Sequence, residues 1–405
     1  METNRKPVIV LALITALCLL GDSMLYIVLP IYWREAGLSS LWEVGLLLSI
    51  NRLVRLPLNP LVGWLYNKVS LRTGLLLAVG MGSMTTLGYG FAHGLIAWIM
   101  LRALWGAAWS LLRIGGLSAV AQCADDTNRG EMMGLYNGLY RLGSLAGMLA
   151  GGILVAFMQL KGVSLLFGCL SLLGVPVLLR SFTEAAAVPS GQKKGTRTRH
   201  IWSKRMGLVL FSGFFVALVF QGVFTSTLSY LIQLYGEKVS LWGLVLAASA
   251  WGGALQAARW TWEPFLGVWF GRMSDGRRGR IPLYGLSLLA VAGALLLLPL
   301  AMPFACWLLV VLFVQIGATS LTTLTDALAT DAVRGLPAAA TLALYSLAQD
   351  LGAALGPIAG YLFIEWKDGL WFLYAANAVV FVGMALVWYR IDRHERTRQS
   401  PAAGL

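Results

Sequence analysis

Charge is scarce in this sequence of 405 residues. Charged residues make up 12% of it, whereas hydrophobic residues make up 58%. A water-soluble chain of this length would need far more polar surface to cover its apolar side chains. The composition therefore excludes a protein that folds as a set of soluble domains.

Histidine and cysteine are also rare, with three His and four Cys. The His residues fall in a predicted loop, a linker and the C-terminal tail, so none is placed beside a nucleophile or a second metal ligand. The Cys residues lie in or at the ends of apolar stretches without C-x-x-C spacing, which indicates neither a disulfide framework nor a zinc site. No Walker-type G-x-x-x-x-G-K-[ST] sequence is present. These absences argue against an enzyme, and we expect no cofactor and no metal.

Long apolar stretches recur from one end of the chain to the other. Each is long enough to cross about 30 Å of hydrocarbon as a helix. We therefore predict an all-α integral membrane protein with about twelve transmembrane helices, numbered here as spans 1 to 12. The spans are 7 to 32, 42 to 65, 73 to 94, 97 to 121, 131 to 157, 162 to 180, 206 to 233, 241 to 270, 281 to 300, 303 to 328, 337 to 364 and 370 to 390.

The net charge of +13 would indicate a nucleic-acid partner in a soluble domain, but here the basic residues are distributed asymmetrically. With the N-terminus inside, 21 of the 31 Lys and Arg fall in the termini and the even-numbered connections. Only Arg34, Lys161, Lys238 and Lys367 fall on the opposite side. This positive-inside pattern predicts a multi-pass protein of the plasma membrane with both termini in the cytoplasm. Its surroundings are then membrane lipid, and no nucleic acid is expected.

The spans form two halves that repeat one another. Residues 182–205 are polar and basic and read as a cytoplasmic linker, which separates predicted six-helix bundles at 1–181 and 206–391, with a cytoplasmic tail at 392–405. Four short matches recur in order at offsets of 200, 204, 205 and 209 residues, which indicates an internal duplication. Parallel six-helix halves of this kind usually form a transporter with its site between them. The matches pair Ser40–Trp42 with Ser240–Trp242, Arg55 with Arg259, Asp126 with Asp331, and Gly143 with Gly352.

The loop after span 2 carries a recognisable motif. Residues 63–72 read G-W-L-Y-N-K-V-S-L-R, which resembles the loop motif G-x-L-x-D-R-x-G-R-R of the major facilitator superfamily, with Asn67 in place of the acid. Residues 271–280 repeat the motif and keep the acid as Asp275. In that family these turns help latch the outward-facing state. The resemblance covers nearly the whole chain, and it implies the major facilitator fold and a gating role for Asn67 and Asp275.

Glycines in span 5 carry the most specific part of the resemblance. They are similar to the antiporter motif G-x8-G-x3-G-P-x2-G-G, with Met148 in place of the proline. Within the family this motif points to exporters of the drug:proton antiporter type, and glycines on one face let neighbouring helices approach closely. The predicted helix-packing residues are Gly134, Gly143, Gly147, Gly151, Gly152, Gly356 and Pro357.

Ionisable residues inside the spans are candidates for function, because each costs roughly 2.5 to 3.5 kcal/mol to place in hydrocarbon. Asp22 lies near the middle of span 1, and the segment from Arg102 to Gly106 resembles the family's R-x-x-x-G pattern, which is linked to proton coupling. The family's arrangement places spans 1, 4, 7 and 10 around the cavity. Asp22 is then either a proton-binding cavity acid or the fixed partner of an arginine. Arg102 likewise either couples protons or pins helices together.

Span 4 also presents a basic and aromatic stripe. Arg102, Gly106, Trp109 and Arg113 share one helix face, because eleven residues make almost three turns. Such a face suits an anionic or zwitterionic substrate group, although Arg113 could also pair with an acid. The predicted substrate-binding residues are Tyr26, Trp105, Trp109, Arg113, Gln221 and Phe224, with Phe220 and Tyr345 as further cavity aromatics.

Charges on four other spans suggest a gate. The resemblance implies that span 2 faces span 11 and that span 5 faces span 8. Arg52 or Arg55 could then pair with Asp350, and Arg141 with Glu263, when the cytoplasmic side closes. Permanent pairs within one half are the alternative.

The leading functional hypothesis is a monomeric exporter of a small organic molecule that works by alternating access and proton antiport. A gradient is expected to drive it because the sequence has no nucleotide site. One alternative is a specific exporter of an anionic or zwitterionic metabolite, such as a lipid headgroup or an amino-acid-derived metallophore, which the excess of Arg over acid favours. A membrane receptor or scaffold is the other, but it would need a sizeable soluble partner domain, and the longest polar segment is the short linker.

Overall fold

Helices dominate the computed structural model of the chain. It describes residues 5–66, 68–123, 129–181, 204–236, 238–241, 244–274, 280–332 and 338–399. Asn67, Asp275 and most of the linker, residues 182–203, lie outside this part. The α-helices are α1 (Arg5–Tyr32), α2 (Leu41–Leu65), α3 (Leu71–Tyr89), α4 (Leu95–Cys123), α5 (Arg129–Leu172), α6 (Gly174–Ser181), α7 (Lys204–Ala217), α8 (Thr225–Gln233), α9 (Ala248–Ser274), α10 (Arg280–Leu297), α11 (Phe304–Ala332), α12 (Ala338–Ile364) and α13 (Gly369–Gln399).

The predicted twelve spans correspond to these helices. Within the described residues, eight helical segments are long and apolar enough to cross a membrane. One of them, Leu135–Ser181, covers most of span 5 and all of span 6. The backbone leaves the helical conformation at Gln159 (φ 56°, ψ 174°), and this break separates the two spans. Spans 2, 3 and 8 are α2, α3 and α9, with 25, 19 and 27 residues. The all-α membrane fold is therefore confirmed.

Span 7 is interrupted by a stretch of wider helix. Residues Leu218–Phe224 form a π-helix between α7 and α8, so three elements make up one membrane-crossing segment. π-Helical turns are uncommon and are frequently found at functional sites. Gln221, one of the predicted substrate-binding residues, lies in this turn.

The predicted start of span 8 at residue 241 is wrong. Lys238–Leu241 and Leu244–Ala247 instead form two short antiparallel strands, β1 and β2, which pair Lys238 with Ala247 and Leu241 with Leu244. Helix α9 begins only at Ala248. Short apolar runs fit a strand as well as a buried helix, so their periodicity could not decide between the two. At the other end of the chain, α13 continues to Gln399, so the described part of the predicted tail is helical.

Packing divides the chain into two units. The first is Met1–Gly195 with Thr225–Ala257, and the second is Thr196–Phe224 with Ala258–Leu405. In the first unit, α1 packs against α5 and also against α8. This places a segment of the second sequence half with the N-terminal helices. The proposed domain limits at 181 and 206 therefore remain a prediction from the sequence.

In the first unit, a row of glycines brings α5 against α1. A Cβ atom on Gly143 would overlap the backbone carbonyl of Ala16, and one on Gly147 would lie 2.5 Å from the carbonyl oxygen of Leu20. Both contacts repeat every four residues on each helix, so the two backbones run side by side. Any larger residue at these positions would force the helices apart.

The same arrangement recurs in the second unit. A Cβ atom on Gly352 of α12 would overlap the carbonyl of Phe214, and one on Gly356 would lie 2.6 Å from the carbonyl oxygen of Leu218. Pro357 follows Gly356 inside α12 and is buried. The duplicated glycines found in the sequence therefore make equivalent helix contacts in both units.

Candidate functional site

A buried ion pair joins α1 to α4 in the first unit. Arg102 is fully buried, the side chain of Asp22 is 11% exposed, and Arg102 Nη1 donates to Asp22 Oδ1. A charge pair so far from water is stable only when its remaining hydrogen-bonding groups are also satisfied. The structure thus brings together the two residues predicted to couple protons. Asp22 is the partner of an arginine here, and its role as a proton carrier remains a prediction.

Helix α2 also contacts this pair. The Nε of Arg102 donates to the carbonyl oxygen of Leu47 at 2.8 Å, and Asn51 Nδ2 donates to Asp22 Oδ1 at 3.2 Å. One turn along α4 from Arg102, a Cβ atom on Gly106 would lie 2.6 Å from the carbonyl oxygen of Asn51. The R-x-x-x-G pattern therefore has a physical basis. Its arginine binds the backbone of α2, and its glycine lets that backbone approach.

One aromatic residue beside the ion pair is Tyr89, at the end of α3. Its hydroxyl interacts electrostatically with both Arg102 and Asp22. The ring of Tyr89 stacks on Trp98, with centroids 5.2 Å apart and an interplanar angle of 8°. The indole N–H of Trp98 donates to the carbonyl oxygen of Ala36 at 3.1 Å. Stacking and this hydrogen bond together fix where the Tyr89 hydroxyl lies.

Sequence reasoning did not find Asn51 and Tyr89. Asn51 was detectable in principle, because an amide inside an apolar span is unusual and marks a partner or a site. Tyr89 gave no such signal, since aromatic residues near helix ends are ordinary in membrane proteins. Only the packing of α3 against α4 places its hydroxyl beside Arg102.

Arg113 forms a second cluster, on α4 and α5. Its Nη1 donates to Asn137 Oδ1 at 2.9 Å and to the Tyr140 hydroxyl at 3.2 Å, and its Cζ lies 5.5 Å from the centroid of the Tyr140 ring. The Trp109 ring meets Tyr140 edge-on at 5.8 Å. Arg113 is only partly buried, and these partners are neutral. The cluster keeps its positive charge, which suits an anionic group.

The other predicted substrate-binding residues are more enclosed. Trp105 is 1% exposed in the hydrophobic core and lies against Gly82. Phe224 is fully buried, and Tyr26 is 5% exposed, with its hydroxyl 3.5 Å from the carbonyl oxygen of Leu48. This burial favours packing roles for Trp105 and Phe224. Substrate contact by these residues remains a prediction.

Among the predicted gate residues, Glu263 has a charge partner on its own helix. Its Oε2 lies 3.8 Å from the Nε of Arg259, four residues earlier on α9. Arg259 is 6% exposed, and the side chain of Glu263 is 24% exposed. This pair matches the alternative of a contact within one half. The gating role remains a prediction for the other described candidates, which are the partly buried Arg52, Arg55 and Asp350 and the exposed Arg141.

The second unit has its own polar cluster on α11 and α12. The Tyr345 hydroxyl donates to Asp326 Oδ1 at 2.7 Å, and Gln349 Nε2 donates to the same oxygen at 3.2 Å. Tyr345 also packs on Gly213 of α7, where a Cβ atom would overlap its ring. Tyr345 is therefore a buried aromatic residue whose hydroxyl also orients the Asp326 carboxylate.

Arg280, the last residue of the second loop motif, links α10 to α11. Its Nη1 lies 2.9 Å from Asp331 Oδ2 and donates to the carbonyl oxygen of Ala327 at 2.9 Å. Both charged side chains are about one-quarter exposed, so their contribution to stability is modest. The pair fixes the end of the motif to the neighbouring helix.

The fold and these clusters define a class of protein. Apolar helices arranged in two duplicated sets, with ionisable groups paired inside them, are characteristic of membrane transporters. The sequence profile of the Major Facilitator Superfamily matches residues 11–265 and again residues 263–404. The chain belongs to this superfamily, and it is a membrane transporter, not an enzyme.

Relatives of known sequence are distant. The chain is 26% identical over 152 residues to the human synaptic vesicular amine transporter, which covers 37% of this chain and 30% of that protein. It is 24% identical over 190 residues to an uncharacterized MFS-type transporter of Methanocaldococcus jannaschii, covering 47% of this chain and 48% of that protein. The chain thus spans between about a third and a half of these relatives.

Solved structures match over nearly the whole chain. A bacterial homologue of the human lysosomal transporter Spinster, in an inward-facing and occupied conformation, superimposes with a TM-score of 0.73 at 16% identity and covers 97% of each chain. The nucleoside transporter NupG superimposes with a TM-score of 0.72 at 13% identity, covering 96% of this chain and 99% of its own. These similarities establish the fold alone.

Proposed function

We propose that this transporter exports a small organic molecule in exchange for protons. The observation that carries the proposal is the buried pair of Asp22 and Arg102 inside the first unit. A buried carboxylate is either paired with a cation or neutralised by a proton. A conformational change that separates the two groups would therefore make Asp22 take up a proton. A change that restores the contact would release the proton.

The glycine face of α5 supports export as the proposed direction. The motif that this face resembles is typical of antiporters that export, and its glycines do lie against the α1 backbone at Ala16 and Leu20. Gly152 extends the face, since a Cβ atom there would overlap the carbonyl of Ser249 at the start of α9. Contacts made through bare backbone allow helices to shift without unlocking side chains. This suits alternating access.

The test is transport by the purified protein in liposomes. A thermal-shift screen with cationic, zwitterionic and anionic pools would first identify a ligand. Because the vesicular amine transporter matches 37% of the chain, organic amines belong in the cationic pool. A pH gradient should then drive the ligand against its own gradient, and collapse of the pH gradient by an ionophore should stop net movement. Transport that is indifferent to the pH gradient would contradict proton antiport.

A second candidate is a specific exporter of an anionic or zwitterionic metabolite. The cluster of Arg113, Asn137 and Tyr140 supports it, because a partly exposed guanidinium with neutral partners attracts an anionic group. Thermal stabilisation by the anionic or zwitterionic pool alone would favour this candidate.

We propose that the protein works as a monomer in the plasma membrane, with both termini in the cytoplasm. The orientation rests on the asymmetric distribution of Lys and Arg between the loops. In a variant whose four native cysteines are replaced by serine, a cysteine introduced at Gln399 should react with an impermeant thiol reagent only after the cells are opened. Reaction in intact cells would reverse the proposed orientation.

A further inference from the structure

Three polar atoms around the Asp22 and Arg102 pair are buried and make no hydrogen bond of good geometry with any described residue. They are Arg102 Nη2, the hydroxyl oxygen of Tyr89, and Asn51 Oδ1. Their residues come from three different helices, α4, α3 and α2. Buried polar groups in native proteins are nearly always paired with protein or with ordered water. Three such atoms in one place therefore indicate a common partner.

Covalent geometry keeps two of these atoms near the same carboxylate oxygen. Arg102 Nη2 is two bonds from Nη1, which donates to Asp22 Oδ1. Asn51 Oδ1 is two bonds from Nδ2, which donates to the same oxygen. The Tyr89 hydroxyl interacts electrostatically with both members of the pair, and it lies near enough to Arg102 and Thr85 for weak hydrogen bonds. All three atoms therefore lie close to the Asp22 and Arg102 pair.

The chemistry of these atoms selects the partner. Nη2 can only donate, Asn51 Oδ1 can only accept, and a tyrosine hydroxyl can do both. Asp22 and Arg102 neutralise each other, so the region has no net charge to hold an ion. An anion would compete with Asp22, and a cation would be repelled by Arg102. Water is the molecule that accepts from a guanidinium, donates to an amide oxygen and exchanges a hydrogen bond with a hydroxyl.

We propose that a water molecule is bound inside the first unit between Arg102, Tyr89 and Asn51, and that Tyr89 is a positioning residue for proton exchange at Asp22. When Arg102 Nη2 and the Tyr89 hydroxyl both donate to this water, its two hydrogens are left for Asn51 Oδ1 and the Asp22 carboxylate. The part played in proton exchange rests on the proposed function. The presence of the water does not.

A matched control exists in the second unit. Tyr284 is as buried as Tyr89 and also packs on a tryptophan, with the rings of Tyr284 and Trp388 edge-on at 6.0 Å. The Trp388 indole N–H is likewise hydrogen-bonded, to Ser212 at 3.0 Å. The hydroxyl of Tyr284 differs from that of Tyr89 because it shares a well-formed hydrogen bond with the Thr325 hydroxyl, at 3.2 Å.

X-ray hydroxyl-radical footprinting of the purified full-length protein tests the water directly. Radicals form from bound water in place, so a buried side chain beside such a water is oxidised although bulk solvent does not reach it. Mass spectrometry should show Tyr89 oxidised several-fold faster than Tyr284. Equal rates at the two tyrosines would overturn the proposal, whether or not the protein transports protons.

The role in proton exchange has a separate test, which compares Tyr89→Phe with Tyr284→Phe. The first variant loses the hydroxyl but keeps the ring that stacks on Trp98. It should shift the pH dependence of transport while leaving ligand affinity at a fixed pH unchanged, and Tyr284→Phe should do neither. An unshifted pH profile in Tyr89→Phe, with rapid oxidation of Tyr89 in the parent protein, would leave a structural water and refute the positioning role. If the parent protein ignores a pH gradient, proton antiport itself fails, while the footprinting result still decides whether the water is present.

Discussion

Arg102 donates from Nε to the backbone carbonyl oxygen of Leu47 at 2.8 Å, so the side chain that neutralises Asp22 is also fixed to the backbone of α2. One guanidinium thus holds three helices, α1, α2 and α4. The pair therefore contributes to the packing of three helices. Any movement that breaks it must also change how these helices pack.

We predict that Asp22→Asn abolishes transport driven by a pH gradient. The amide has nearly the same shape and keeps an oxygen that can accept from Arg102, but it cannot bind or release a proton near neutral pH. The variant should lose some stability, because the Arg102 charge is left without its counter-charge, but it should remain folded and should still bind ligand. Uptake into liposomes under an imposed pH gradient measures the effect, and thermal unfolding confirms folding. Gradient-driven uptake at the parent rate would remove Asp22 from coupling.

Arg102→Met should destabilise the first unit strongly. It leaves the Asp22 carboxylate buried without a cation, a loss of about 3 to 5 kcal/mol for a truly buried pair. The double variant Asp22→Asn with Arg102→Met removes the stranded charge and should recover much of that loss. Thermal or denaturant unfolding in detergent compares the three proteins. If the double variant is as unstable as the single one, the pair contributes packing and not charge neutralisation.

Gly147→Ala should impair transport through steric overlap. The added methyl group would lie 2.5 Å from the carbonyl oxygen of Leu20, so α5 must move away from α1. Gly138→Ala on the same helix is the matched control, because a Cβ atom there meets nothing within 4 Å. The control should be neutral, or more stable by up to about 1 kcal/mol from helix propensity. Equal transport by both variants would show that close approach of α1 and α5 is not required.

Arg113→Ala should weaken ligand binding if the substrate carries an anionic group. Arg113→Lys separates the two forms of recognition, since lysine retains the charge but cannot present two parallel donors. A single-point contact should tolerate lysine, whereas bidentate recognition should fail in both variants. Binding is measured by calorimetry with the ligand found in the screen. Unchanged affinity in both variants would place Arg113 outside the binding site.

The fold could be predicted from sequence because hydrocarbon imposes a simple requirement, that each crossing be a long apolar helix. The same requirement could not predict the two short strands within residues 238–247. The residues from 241 onward continue the apolar stretch of span 8, yet Lys238–Leu241 and Leu244–Ala247 form two paired strands, and α9 begins only at Ala248. The motif glycines were also predictable, because spacing alone places Gly143 and Gly147 on one helix face.

By itself, the sequence determined that the chain crosses the membrane about twelve times, that its halves are duplicated, and that Asp22 and Arg102 lie within the membrane. Only the tertiary structure decided which partners these residues have. Helical periodicity shows which face a side chain occupies, but the neighbour across that face depends on how helices distant in sequence pack. Asp22 and Arg102 are 80 residues apart, and Asn51 and Tyr89 join them only because α2 and α3 both pack on α4.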